Sequence, residues 1–227
     1  MKKVFHGIFF NLASIIAVSQ NTAYDTTLYQ NEHYRERVAV FNNEPVIKGQ
    51  IIFLGNSITE FEDWRQLLND ASVINRGIAG DNTYGVLARL KDIITRKPGK
   101  LFIEIGVNDI SLDISSKNIV KNILSIVKQV HAKSPGTKIY VHSILPTNDH
   151  VKNEYPGIYN KNKQANFINN QLNRNAKDNK YIYIDLHKEL KDKNGKLDSK
   201  YAMPDGLHLN NTGYDIWAKL LKAKKYL

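Results

Sequence analysis

The stretch that decides the fold runs from residue 50 to residue 59 and reads Gln-Ile-Ile-Phe-Leu-Gly-Asn-Ser-Ile-Thr. Its first half, Gln50–Leu54, is continuously apolar from Ile51 onward, which is typical of a strand covered on both faces in a parallel sheet. Its second half, Gly55–Thr59, is small and polar and carries a serine. Since open parallel sheets bind ligands at the carboxyl ends of their strands, the stretch predicts that Ser57 lies at a ligand-binding edge.

Four more short, β-branched apolar runs follow along the chain: Ser72–Ile74, Leu101–Ile105, Lys138–Ile144 and Tyr181–Ile184. Helical patterns lie between them. Alternating strands and helices predict a three-layer α/β/α domain with a five-stranded parallel sheet in the flavodoxin-like order 2-1-3-4-5.

Three helices are predicted from apolar residues at helical spacing. The first runs through Ile119–Val130, with Ser115 or Ser116 as its cap and Pro135-Gly136 at its end. The second runs through Val86–Ile94 and is ended by Pro98-Gly99. The third is C-terminal, runs through Ile216–Leu221 and has Asn211 or Thr212 near its cap. The polar stretch Asn148–Asn162 is predicted to be a long surface loop.

The composition is that of a globular chain of 227 residues, 42% hydrophobic and 24% charged. The absence of cysteine excludes a disulfide scaffold, a cysteine-held metal and a thiol nucleophile. The 32 Lys and Arg against 22 Asp and Glu give a net charge of +10. Because the lysines are scattered over the whole length, we interpret this charge as a solvated surface and predict no nucleic-acid partner.

The N-terminus has the pattern of a secretory signal peptide: a positive start at Met1–Lys3, an apolar stretch over Val4–Val18 and small residues at Ala17 and Ser19. The apolar stretch is short for a bilayer span, so we expect export without stable membrane insertion after cleavage. Periplasm and medium both stay open. The chain is thus divided into a signal peptide over residues 1–19, a lead-in segment over residues 20–49 with a helix around Tyr29–Phe41, and a main domain over residues 50–227.

Polar clusters also follow the second and third strands, at Asn75–Thr83 and Gly106–Asp109, and another lies near the C-terminus at Asp205–His208. Each alone is an ordinary turn or helix cap. Together with Ser57 they supply a nucleophile, a base, a carboxylate and hydrogen-bond donors, which is the set that acyl transfer needs.

In this order the clusters resemble the four blocks of the SGNH hydrolases, a branch of the GDSL-type esterases and lipases. Gly55–Thr59 resembles the serine block, with Asn56 where the family usually has Asp; Gly77–Thr83, Gly106–Asp109 and Asp205–His208 resemble the other three. The likeness runs from about Gln50 to the C-terminus. It is strongest to acetylhydrolases of the platelet-activating-factor type and to bacterial carbohydrate and sialate O-acetylesterases.

The resemblance implies a serine mechanism without a cofactor. Ser57 is the expected nucleophile, His208 its base, and Asp205 the carboxylate that orients the imidazole. The expected oxyanion donors are the N–H groups of Ser57 and Gly80 and the side-chain amide of Asn108.

The roles of two positions in the glycine block stay open. Gly77 is the alternative to Gly80 as the oxyanion donor, and Gly80 is favoured because Asp81 and Thr83 follow it in the family's pattern. Asp81 either braces this loop or simply forms its turn.

Other chemistries lack their motifs: no Gly-x-Ser-x-Gly surrounds Ser57, and neither a P-loop nor Gly-x-Gly-x-x-Gly occurs. His142, His150 and Asp185–His187 have no recognised ligand spacing, so no metal site is predicted.

We therefore predict an exported esterase that removes small acyl groups, in particular acetyl, from a carbohydrate. Tyr155 and Tyr159 are candidates to stack on a sugar ring, with packing as the equal alternative. Lipid or phospholipid acyl esters, thioesters, and a non-catalytic binding module on the same fold remain alternatives.

Overall fold

The structure is a computed structural model that describes residues 29–227, so the predicted signal peptide lies outside the described residues. The strands are β1 (Ile51–Gly55), β2 (Val73–Gly77), β3 (Lys100–Glu104), β4 (Lys138–His142) and β5 (Ile182–Ile184). The helices are α1 (Glu32–Asn43), α2 (Ser57–Glu60), α3 (Trp64–Leu68), α4 (Thr83–Ala88), α5 (Leu90–Arg96), α6 (Val107–Ser111), α7 (Ser116–Lys133), α8 (Val151–Glu154), α9 (Asn162–Asn175), α10 (Leu186–Leu190) and α11 (Asn211–Ala223). Among residues 29–227, no helix is both long and apolar enough to cross a bilayer.

The five strands form one parallel sheet in the order β2-β1-β3-β4-β5, which confirms the predicted fold class and strand order. Helices α4, α5 and α9 each contact α7 in one layer, and α11 contacts α3 and α10 in the other. β1 and β3 are neighbours, and the chain leaves them in different directions. This is the switch point at which such sheets form their binding crevice.

The core is built on an aromatic row across the sheet. Phe53 and Phe102 lie opposite each other on β1 and β3, with ring centroids 4.8 Å apart, and Phe102 stacks in turn on Tyr140 of β4. Trp64 stacks on Phe53 at 3.9 Å, and Trp217 packs edge-on against Trp64. These side chains fix α3 and α11 against the strands that carry the site.

Helix α1 is attached to this core through buried guanidinium groups. The guanidinium of Arg76 lies 4.3 Å from the Phe41 ring centroid and pairs with Glu44 and Asp92. Arg96 donates hydrogen bonds to the Phe41 and Pro45 carbonyls. The predicted lead-in helix is therefore packed on the main domain, although it begins at Glu32 rather than at Tyr29.

Strand and helix ends differ from the sequence prediction in several places. β2 continues through the polar residues to Gly77, and β4 ends at His142. Ser115 caps α7 as one of the two predicted residues, by accepting from the Asn118 N–H, whereas α11 is capped by Asn210 rather than by Asn211 or Thr212.

The single helix predicted through Val86–Ile94 is wrong. The structure has two helices, α4 and α5, with a break at Arg89. The break lets the Arg89 guanidinium turn inward, where it donates to the Arg76 and Gly55 carbonyls and pairs with Asp81.

The stretch Asn148–Asn162 is not a simple surface loop. It contains α8 and a short 3₁₀ turn at Pro156–Ile158, and both Val151 and Ile158 are buried. These apolar anchors fold the segment back onto the domain beside the carboxyl edge of the sheet.

Candidate active site

Ser57 opens helix α2 directly after β1, so the strand end and the helix start fix its position. Asn56 caps the helix by accepting a 2.9 Å hydrogen bond from the Ile58 N–H. An Asn serves this capping role as well as an Asp does, because either side chain supplies an oxygen acceptor. The departure from the usual Asp at position 56 therefore leaves the turn that carries Ser57 intact.

Ser57, His208 and Asp205 form a continuous chain of hydrogen bonds. The Ser57 hydroxyl lies 2.9 Å from His208 Nε2, and His208 Nδ1 lies 2.6 Å from Asp205 Oδ2. A carboxylate accepts and does not donate, so Nδ1 holds the ring proton and Nε2 is left as the acceptor facing the serine. This tautomer is the one in which the imidazole can remove the serine proton.

The turn before α11 sets the relation between Asp205 and His208. The Asp205 carboxylate also accepts from the backbone N–H groups of Leu207 and His208, at 2.9 and 3.0 Å. Partial burial acts to raise the pKa of Asp205, but the hydrogen bonds from His208 and these two N–H groups outweigh it and lower the pKa. Asp205 is therefore ionised at neutral pH.

Gly80 and Asn108 line the same cleft as Ser57 and His208, and Gly77 does not adjoin it. The cleft has a volume of about 290 Å³ and is lined by Ser57, Phe61, Ala79, Gly80, Asn108, Tyr155, Met203, Asp205, Leu207 and His208. Gly80 has φ +80°, a conformation that favours glycine. A Cβ on Gly77 would lie 2.2 Å from the Glu60 nitrogen, so Gly77 allows close packing of β2 against α2.

The loop that carries Gly80 is fastened to Asn108 and to the helix behind it. The Asn108 side-chain amide donates to the Asp81 carbonyl at 2.8 Å. The next residue, Asp109, accepts from the Thr83 N–H at 3.0 Å and from the Thr83 hydroxyl at 2.5 Å. The Asn122 amide donates to the same hydroxyl.

Two carboxylates are buried here, Asp81 in the loop and Asp109 in α6. Burial raises the pKa of each to about 6, opposed by Arg89 at Asp81 and by Thr83 at Asp109. Asp81 is paired with Arg89 at 2.8 Å, so it braces the loop rather than only forming a turn.

Asp109 and Thr83 lie inside the motif blocks, yet sequence reasoning gave them no role. The sequence feature that could have pointed to them is a polar side chain just after a predicted strand, where the sheet edge buries it. Phe61 was missed as well. Its ring centroid lies 5.1 Å from the His208 ring on one side, while Tyr155 lies 5.7 Å from it in an edge-on arrangement.

The histidines weighed as metal ligands make other contacts. His142 is buried in the core, where Nε2 accepts from the Trp217 indole at 2.9 Å and Nδ1 faces the Ile103 carbonyl. Burial lowers its pKa to about 3. His187 Nδ1 lies 3.1 Å from the Ile144 carbonyl.

Comparison with known proteins gives consistent matches. Residues 53–216 match the model of the GDSL-like lipase/acylhydrolase family. The chain is 28% identical over 210 residues to the human platelet-activating factor acetylhydrolase IB subunit alpha2, covering 86% of this chain and 80% of that protein.

Solved structures share the fold. A GDSL-like lipase from Bacteroides thetaiotaomicron superposes with a TM-score of 0.73 at 24% identity, over 86% of this chain and 98% of the other. A variant of a Geobacillus acetyl-xylooligosaccharide esterase superposes with a TM-score of 0.60 at 18% identity, over 79% of this chain and 95% of the other.

Proposed function

Because the chain belongs to the GDSL-like lipase/acylhydrolase family and is a hydrolase of ester bonds, we propose that it is a serine acetylesterase acting on a neutral carbohydrate. The observation that carries the serine mechanism is the hydrogen-bond chain from Ser57 through His208 to Asp205 at the wall of the cleft.

The reaction follows from these positions. His208 Nε2 takes the hydroxyl proton while Ser57 Oγ bonds to the acyl carbon. The oxyanion that forms receives hydrogen bonds from the N–H groups of Ser57 and Gly80 and from the Asn108 amide. His208 then gives its proton to the departing alcohol oxygen, and the bond between that oxygen and the acyl carbon breaks. In the second half, His208 takes a proton from a water whose oxygen bonds to the acyl carbon. The bond between that carbon and Ser57 Oγ then breaks, and His208 returns the proton to Oγ as the acid leaves.

The size of the acyl group is argued from the cleft and from the relatives. A volume of about 290 Å³ has to hold both the acyl group and part of the alcohol, which favours a short acyl chain. The curated relatives that align over most of this chain are acetylhydrolases, which supports acetyl in particular.

The alcohol portion is argued from His208. Since His208 protonates the leaving oxygen, the alcohol leaves on its side of the cleft, where Phe61 and Tyr155 also form part of the lining. Aromatic faces pack well on the C–H face of a sugar ring, and the Tyr155 hydroxyl adds a polar group. Among the described residues the cleft lining holds no Arg or Lys, the usual partners of phosphate and carboxylate groups. This favours a neutral sugar over a sialic acid or a phospholipid headgroup.

The test compares acetylated xylo-oligosaccharides, O-acetyl sialic acid, an acetylated phospholipid and longer acyl esters as substrates. We expect the acetylated neutral oligosaccharides to give the highest kcat/KM and Ser57→Ala to abolish it. An organophosphate should label Ser57. If Ser57→Ala keeps its activity, the serine mechanism is wrong; a preference for the phospholipid or for long acyl chains overturns the substrate proposal alone.

Tyr155→Ala provides the matched test of the sugar subsite. It should raise KM for the oligosaccharide far more than KM for ethyl acetate, because the ethyl group is too small to reach the ring. Any loss of kcat through the contact of Tyr155 with His208 should be common to both substrates. Tyr159→Ala is the control, since Tyr159 is partly buried in the same segment but does not line the cleft. Equal effects of the two variants would remove Tyr155 from the subsite.

We also propose that the enzyme is exported, on the support of the signal-peptide pattern in residues 1–19. N-terminal sequencing of the protein from the native cells should find that this segment has been cleaved. An intact Met1 in the purified protein would contradict export by this route.

A further inference from the structure

Glu60 occupies the last position of the short helix that Ser57 begins, and its carboxylate is the meeting point of three elements. Glu60 Oε2 accepts a 2.5 Å hydrogen bond from the Ala79 N–H in the loop after β2. His33 Nε2 lies 3.0 Å from Oε2, and Arg37 Nε lies 3.0 Å from Oε1. The Glu60 side chain is 13% exposed, so these contacts lie partly out of water.

The backbone around Glu60 is fixed as firmly as its side chain. The Asn75 amide donates to the carbonyls of Thr59 and Glu60, at 2.9 and 3.0 Å. Gly77 lies against the Glu60 backbone with no room for a Cβ. Glu60 is therefore a rigid point from which a carboxylate can hold the neighbouring loop.

The residue it holds is next to Gly80. A hydrogen bond to the Ala79 N–H fixes the peptide immediately before the Ala79–Gly80 peptide, whose N–H is the proposed oxyanion donor. The start of α1 also lies close to this loop, since Asn31 Nδ2 lies 3.7 Å from the place where a Gly80 Cβ would be. Asn31 is itself the cap of α1.

We propose that Glu60 is a positioning residue that aims the Gly80 N–H at the oxyanion, and that His33 and Arg37 of α1 hold its carboxylate in place. This inference rests on the proposed serine mechanism. It gives the lead-in helix a part in catalysis: α1 supplies the His33 and Arg37 side chains that hold the Glu60 carboxylate. Positional errors of about 1 Å in such groups cost up to about 100-fold in rate.

The experiment compares Glu60→Ala, Glu60→Gln and the control Glu36→Ala, which removes an exposed carboxylate from α1. A donor that acts on the transition state changes kcat and not KM. We expect Glu60→Ala to lower kcat roughly 10- to 100-fold with KM unchanged. Glu60→Gln keeps an oxygen that accepts from Ala79, so its loss of kcat should be smaller. Glu36→Ala should behave as the wild type.

Two further measurements separate positioning from general destabilisation. The rate at which an organophosphate labels Ser57 also depends on the oxyanion donors, and it should fall in parallel with kcat. Arg37→Gln leaves Glu60 in place and should show a smaller loss of the same kind, and it serves as the test if Glu60→Ala does not fold. Wild-type kcat in both Glu60→Ala and Arg37→Gln, or equal losses in kcat and in the folded fraction, would overturn the proposal. Activity that persists in Ser57→Ala would instead show that the serine mechanism has failed.

Discussion

The side-chain amide of Asn108 donates a 2.8 Å hydrogen bond to the backbone carbonyl of Asp81. This bond joins the residue proposed to stabilise the oxyanion to the loop that carries the other proposed donor, Gly80. An amide nitrogen has two hydrogens, so one can hold the loop while the second faces the cleft.

Asn108→Ala should lower kcat by roughly 10²–10³, about 3–4 kcal/mol, with little change in KM, because a donor to the oxyanion acts in the transition state. Asn108→Asp should be at least as damaging, since its carboxylate is an acceptor facing both the oxyanion and the Asp81 carbonyl. The kcat is measured per active site, by titration of Ser57 with an organophosphate. A loss confined to the folded fraction, with normal kcat per titrated site, would show that Asn108 only holds the loop.

His208→Ala should abolish turnover, and Asp205→Asn should cost less, roughly 10⁴ against 10⁶ in kcat, because the imidazole can still accept the serine proton. The low pKa of Asp205 keeps it ionised over the whole assay range, so it adds no limb of its own to the pH profile. Activity of the wild type should rise with pH on a limb and then level, as general-base catalysis requires. A matching limb in His208→Ala would show that another group is the base.

The sheet could be predicted because each of its five strands contains a short run of apolar residues, many of them β-branched, which is a local property of the sequence. That Ser57, Asn108 and His208 lie at one cleft could be predicted because their motif blocks stand at strand ends or just before the last helix. The break at Arg89 could not be predicted, because it accompanies contacts of the guanidinium with Asp81 and with two distant carbonyls, Gly55 and Arg76. Apolar spacing continues straight through that position.

The contacts of Glu60 and Asp109 could not be predicted from the sequence for a related reason. Each accepts a hydrogen bond from another element, Glu60 from the Ala79 N–H and Asp109 from Thr83, and such pairs have no characteristic spacing in the sequence. The segment Asn148–Asn162 is rich in turn residues, so its pattern predicted a loop. The two buried residues Val151 and Ile158, which place Tyr155 beside His208, were therefore not predicted.

The pair Thr83–Asp109 should couple strongly because the carboxylate is buried and accepts from both donors of one residue. Thr83→Val and Asp109→Asn should each destabilise the protein by about 1–3 kcal/mol through a buried group left unpaired. The double variant should cost less than the sum, with a coupling of about 0.5 kcal/mol or more. Urea unfolding of the four proteins measures this. If the two losses of unfolding free energy add without a coupling term, Thr83 and Asp109 do not stabilise the protein as a pair.

Glu104 should make the stability of the protein fall with rising pH. It ends β3 beside Gly55, it is fully buried, and among the described residues neither carboxylate oxygen has a hydrogen-bond partner. Burial raises its pKa from the ordinary value of 4.5 to about 8. Between these two values the folded protein keeps a proton that the unfolded chain has lost, so the free energy of unfolding decreases as the pH rises, by at most about 1.4 kcal/mol per pH unit. The stabilising contribution is complete below the lower pKa and is lost as the pH passes the upper one.

Glu104→Gln has nearly the same shape and no titrating proton, so it isolates this effect. The free energy of unfolding of Glu104→Gln should rise relative to that of the wild type between about pH 5 and about pH 8, by a few kcal/mol in all. Above that range the difference between the two proteins should be constant. Urea unfolding at a series of pH values measures the difference, with the exposed Glu36→Gln as the charge-matched control. The control should run parallel to the wild type over the whole range. A Glu104→Gln curve that does the same would mean that Glu104 ionises in the folded protein as readily as in the unfolded chain, and its isolation in the core would then have no electrostatic consequence.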